Sequence, residues 1–277
     1  MERIGAYRLE RELSGLSGGL RRYSGVHERT GRRATIALST DVDEPAASRM
    51  LRQVRAWARV VHPSISTITD MGVADDRLYC VTSAQEGAQS ATRLLPKLRD
   101  PLRVLMPIVH AMAIAHQEGA RHGALDPSCI ELVRDGRDWS ARLTPHCTLK
   151  RARRRDDVRA MANLLRRCKI SRPVRRVLSQ SSTMTMMELY ESLLEVSPSS
   201  VRARMDSIAG ARDDLVSSGT TSLHVTSPDA SEDDSISVDR SNDSDSRWKR
   251  GACLALAFGA VAALSFAIVR LVRFGIG

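Results

Sequence analysis

The sequence predicts an α+β unit of two lobes, joined through a polar segment to one membrane-spanning helix at its C-terminal end. Three observations predict it. Short apolar runs of strand character crowd residues 1–87, helical spacing dominates residues 88–196, and residues 251–269 carry no charge.

The strand signals come first. Tyr7–Leu13 alternates, and Ala34–Leu38 and Leu78–Thr82 are short apolar runs bounded by polar residues. Between them Pro45–Val61 has helical spacing, with Met50, Val54, Trp57, Ala58 and Val61 on one face. Leu102–Gln117 is a strongly apolar helix, and Val158–Cys168 and Met186–Val196 are two more. Strands with one helix, then helices, describe two packed lobes.

Charge and cysteine usage narrow the function. The chain has 277 residues and a net charge of +10. From Val201 onward there are 9 basic and 10 acidic residues, so residues 1–200 carry +11. Such a surplus attracts polyanions, and an anchor in the same chain favours an anionic lipid surface over nucleic acid. The five cysteines are odd in number and contain no C-x-x-C pair, which argues against a disulfide framework and a zinc site. The opening MERIGAYRLERELSG has no apolar h-region, so the bulk of the chain is expected in the cytosol.

Residues 197–250 are rich in Ser, Thr and Asp, and their low hydrophobicity and like charge predict a disordered tether. Gly251–Val269 then runs for about 28 Å as a helix, close to the hydrocarbon thickness. Trp248, Lys249 and Arg250 precede it, and residues 270–277 form a short tail. The expectation is a single-pass membrane protein with a C-terminal anchor and a cytoplasmic domain.

Several motifs in order resemble a bacterial-type serine/threonine protein kinase. Ile4-Gly5-Ala6-Tyr7-Arg8-Leu9 resembles the opening of such domains, and Glu28–Arg33 their turn between the second and third strands. Ala58–Ile65, with His62-Pro63, resembles the end of the family's helix C and its loop. Ala113–His116 leading to His122–Ile130 matches the helix and catalytic loop in spacing, and Asp157–Met161 the start of helix F. The resemblance implies the kinase fold, with an N-lobe at 1–87, a C-lobe at 88–196 and a shortened activation segment. If the domain is of that bacterial type, the membrane is a bacterial inner membrane.

The same resemblance implies lost chemistry. Phosphoryl transfer needs positioning and charge stabilisation. The family's lysine position falls on Ala37 and its glutamate partner on Gln53. The catalytic base falls on Ala124, the lysine that steadies the phosphate on Asp126, and the metal-binding asparagine on Cys129. The aspartate of D-F-G falls on Pro145, and no A-P-E follows. Gly15, Gly18 and Gly19 survive as a vestigial phosphate loop, out of the G-x-G-x-x-G frame. No catalytic residue and no metal ligand is expected, and no cofactor, with ATP the one molecule left open.

The expected function is therefore a pseudokinase that scaffolds or allosterically regulates, with a protein partner such as an active kinase or a membrane complex. A divergent but active ATP-dependent serine/threonine protein kinase is the alternative. Lys150, Arg151, Arg153, Arg154 and Arg155 form a basic run suited to anionic lipid, and nucleic acid is not the expected partner.

Overall fold

Alternating burial along the early strands builds a sheet with two apolar faces. The structure, a computed structural model, describes residues 2–17, 20–39, 44–136, 138–145, 152–217 and 224–225, all within one unit, Met1–Val238. Strands β1 (Arg3–Ile4), β2 (Tyr7–Ser17), β3 (Leu20–His27) and β4 (Arg33–Ser39) precede helix α1 (Glu44–Ala58). Strands β5 (Ile68–Ala74) and β6 (Arg77–Ser83) follow as a hairpin. Its turn places Asp75 and Asp76 at φ of 50° and 59°, the left-handed pair that a tight two-residue hairpin requires. The sheet order is β1-β2-β3-β4-β6-β5, and the backbone of His224–Val225, named β10 because it comes last in the chain, lies parallel to β5 at the edge.

Period-two alternation sorts the side chains of this sheet. Ile4, Tyr7, Leu9, Ile36, Leu38, Tyr79 and Val81 pack into a cluster of their own. Leu20, Met71, Leu78 and Cys80 join Met50, Val54 and Trp57 of α1 in the main core.

The helical part starts with β7 (Gln89–Ser90), α2 (Ala91–Leu94) and α3 (Pro101–Gln117). Asp100 caps α3 by accepting from Arg103 N at 3.1 Å, and Pro101 takes the first helical position. Most of α3 is buried all round, as an apolar helix must be. Strands β8 (Ile130–Asp135) and β9 (Asp138–Leu143) pair with β7 in a three-stranded sheet. Helices α4 (Arg154–Arg166), α5 (Arg172–Gln180), α6 (Met186–Glu195) and α7 (Ser199–Ser217) complete the part. Thr185 and Glu188 form a reciprocal capping box that fixes the start of α6.

Backbone and side-chain hydrogen bonds tie the strand-rich part to the helical one. Ser66 N donates to Leu143 O at 2.9 Å and Leu143 N to Ser64 O at 2.8 Å, while Gln53 Oε1 accepts from Arg121 N at 3.0 Å. The result is a mixed α+β architecture consistent with the two-lobed expectation.

One boundary differs from expectation. Residues 199–217, assigned above to the disordered tether, form α7 and pack on α3. Val201 and Met205 are buried and Ile208 packs beside them, so spacing of four and three residues makes one apolar stripe despite the polar composition. Ser197 Oγ donates to Leu193 O at 2.6 Å, and Arg212 Nε donates to Val61 O at 3.3 Å. The rest of the tether, apart from His224–Val225, and the segment 251–269 lie outside the described residues. No helix among the described residues is long and apolar enough to cross a membrane.

Candidate functional site

The loop between α3 and β8 is held from behind by one carboxylate. Asp157, in the first turn of α4, is 1% exposed. Its Oδ2 accepts from His122 N at 2.9 Å and its Oδ1 from Gly123 N at 2.7 Å. His116 Nε2 donates to the same Oδ2 at 3.0 Å, closing α3 onto α4. Burial alone would push this carboxyl up, but the His116 bond, the His122 charge and the two amides outweigh it and hold it below the usual carboxylate range. Gly123 has φ +73°, which lets the chain turn so that both amides meet the carboxylate.

The front of the loop is occupied by protein side chains. Arg22 on β3 stands in register with Ala37 on β4, and Ala37 with Cys80 on β6. The Arg22 side chain, buried with the residue 5% exposed, crosses from the large sheet to the loop. Its Nη1 donates to Ser128 O at 3.2 Å and lies 3.6 Å from Cys129 Sγ. Glu131, opposite on β8, is partly buried with no acceptor or donor partner for Oε2 among the described residues. Burial raises its carboxyl, against the pull of Arg22 and Arg142.

Cys129 is itself a charged-pair candidate. Its Sγ donates to Ala124 O at 3.5 Å, and the His122 imidazole lies beside it. Burial works to raise the thiol, but His122 and the Arg22 charge prevail and lower it, with Asp126 opposing. Burial likewise works to lower His122, yet Cys129, Asp157 and the Thr144 carbonyl raise it. His122 Nε2 donates to Thr144 O at 3.2 Å, and its ring meets Trp57 edge-on with centroids 6.2 Å apart.

The remaining positions singled out by sequence fall as follows. Gln53, on α1, is engaged by Arg121 N rather than by a lysine. Ala124 is half-buried and carries no group able to accept a proton. Asp126 points at its own loop: Oδ1 accepts from Ser128 N at 2.6 Å and caps the short turn Pro127–Cys129. Pro145 is buried just after β9. Gly15 lies in β2, where pairing with β3 shifts register between Leu13 and Ser17. Gly18, Gly19, Lys150 and Arg151 lie outside the described residues, while Arg153, Arg154 and Arg155 are exposed at the start of α4. Among the described residues no group of three or more His, Cys, Asp or Glu is placed to hold a metal ion.

Sequence reasoning missed Arg22, Glu131 and the role of Asp157. For Arg22 a signal existed: alternation along Leu20-Arg21-Arg22 puts it on the face of Leu20.

No family model matches the chain. Over 96 residues it is 31% identical to CBL-interacting protein kinase 4 of Oryza sativa subsp. japonica, a match covering 32% of this chain. The match spans about a fifth of that relative's length, 21%. It supports a protein-kinase-like similarity. The relative is a plant protein, so the match speaks for protein kinases at large rather than for a bacterial type.

Proposed function

We propose that the chain is a catalytically inactive protein-kinase-like protein that acts by binding a protein partner, held at a membrane by residues 251–269. The observation that carries this reading is Arg22, which reaches from the large sheet to Ser128 and Cys129 and takes up the space between β4 and the loop. A guanidinium fixed there by a carbonyl and a thiol disfavours entry of a purine base, because displacing it would leave buried polar groups unpaired. The positions that resemble the transfer machinery offer a methyl group at Ala124, a capped carboxylate at Asp126 and a soft thiol at Cys129. The loop itself stays ordered through Asp157, so the domain keeps a surface to present.

Placement at the membrane is supported by the uncharged stretch 251–269 and by the exposed Arg153, Arg154 and Arg155, which suit anionic headgroups. The partner is a protein, with an active kinase or a membrane complex as the classes that fit. The resemblance to bacterial domains makes a bacterial inner membrane the proposed location.

The test is phosphate transfer by the full chain in neutral detergent with Mg²⁺ and γ-labelled ATP, on itself and on a generic basic substrate. The expected result is no incorporation above that of a heat-denatured control. Incorporation that an Arg22→Glu substitution changes would overturn the proposal in favour of a divergent active kinase.

A further inference from the structure

Away from the loop, the segment before α3, the first turn of α3, the start of β9 and Arg204 of α7 line an open cavity of about 330 Å³. Four cations face it: Lys97, Arg99, Arg103 and Arg204. Two carboxylates line it as well, and both are already used. Asp138 takes the Arg103 guanidinium in a two-pronged pair, at 3.0 Å and 3.0 Å. Asp100 accepts from Arg103 N at 3.1 Å as the cap of α3. Among the described residues, Lys97, Arg99 and Arg204 have no carboxylate within ion-pair distance. The Nε groups of Arg103 and Arg204 are buried with no acceptor among the described residues. Buried N–H groups without acceptors are rare in native structures and call for one. The indole of Trp139 supplies a flat apolar wall.

We propose that this cavity binds a multiply charged small anion, a ring bearing phosphate groups, either free in solution or as the headgroup of a lipid. Three cations with no carboxylate at ion-pair distance among the described residues match two or more phosphates, and the two buried Nε–H groups, one from each arginine, each suit a single phosphate oxygen. The cavity sits at the small end of ligand sites, about 300–1,000 Å³, yet is roomier than a single phosphate ion needs. The indole then stacks on the ring. The site shares no residue with the Arg22 cleft and does not rest on the reading given for it.

The test is calorimetric titration of the full chain in neutral detergent micelles with inositol trisphosphate and with inorganic phosphate. Inositol trisphosphate is expected to bind at least tenfold more tightly than inorganic phosphate, and to weaken with added salt. Lys97→Ala with Arg99→Ala, both at exposed positions, and separately Arg204→Gln should each lower affinity at least tenfold without moving the melting temperature. Trp139→Leu should lower it severalfold. A third titration uses micelles doped with phosphatidylinositol bisphosphate. Tighter binding there than to the soluble ring, lost in the same variants, assigns the ligand to a lipid, and equal binding assigns it to a soluble metabolite. Absence of binding, equal affinity for inorganic phosphate, or affinity retained in the variants overturns the proposal. The last outcome would locate the interaction on the exposed arginines of α4 instead.

Discussion

The back and the front of the loop 121–129 are built on opposite rules. Behind it, Asp157 gathers two backbone amides and a histidine, and every donor it faces is matched. In front, Arg22, Cys129 and Glu131 crowd together with Glu131 Oε2 left over. A carboxylate ringed by donors orders a loop whatever chemistry the loop performs. On the proposal made above, Arg22 stands where a nucleotide would need open space. The order of the loop is thus set from behind by Asp157, independently of what its front carries.

The largest effect is expected from breaking the back. Asp157→Ala leaves three donors, two of them buried, without an acceptor and should destabilise the fold by about 3–5 kcal/mol, read from denaturant midpoints. The wild-type carboxyl is depressed in the fold, so its contribution is present above the unfolded value near 3.8 and fades as pH falls through the lower folded value. The variant should lose that acid limb. A change under ~1 kcal/mol would mean the loop is ordered by something else.

A second substitution asks whether α7 is part of the same body. Met205 is 4% exposed, so Met205→Ala should cost about 2 kcal/mol or more in the same assay. If α7 belonged to a disordered tether, the substitution would be silent.

A second histidine pair sharpens the contrast electrostatically. His62 Nδ1 accepts from Ser64 N at 3.0 Å, so its proton sits on Nε2 and points to His110 Nδ1 at 3.2 Å. Burial first, then His110 and Arg212, push His62 from 6.5 down to about 3. His110, lowered by burial and Arg212, stacks on Tyr190 with centroids 4.7 Å apart. No carboxylate is among the groups that shift either ring, in contrast to His122 beside Asp157. The unfolded chain takes up a proton near 6.5 while folded His62 resists until about 3, so acid favours unfolding across that window. His62→Asn, which keeps an acceptor for Ser64 N, should flatten the decline in stability between pH ~6 and pH ~5. An unchanged slope would show that His62 is not its source.

The smallest expected effect is at the capping box. Thr185→Ala removes the acceptor for Glu188 N and should cost about 1 kcal/mol, visible as a small drop in melting temperature.

How much of this was legible in the sequence depended on how local its cause was. The helices at 102–117 and 186–196 could be read because their apolar content and caps are local. The strands at 34–38 and 78–82 could be read because they are apolar runs in the middle of the sheet. Strand β3 could not: Arg21, Arg22, Ser24 and His27 make it polar, and pairing on both sides decides it. Helix α5, Arg-Pro-Val-Arg-Arg-Val-Leu-Ser-Gln, buries only Val174 and Leu178. Helix α7 was hidden by serine and aspartate around its stripe. Ala37, Ala124 and Cys129 were singled out through the family resemblance, whereas Arg22, which reaches the same loop, was not. Arg22 meets Ser128 across 106 residues of chain, a contact no local pattern announces.

The central claim is that Arg22 holds the cleft closed to nucleotide, and calorimetric titration of Mg·ATP into the full chain tests it most directly. No heat of binding is expected for the wild-type chain up to millimolar nucleotide. Saturable binding of Mg·ATP at micromolar affinity by the unaltered chain would contradict the account.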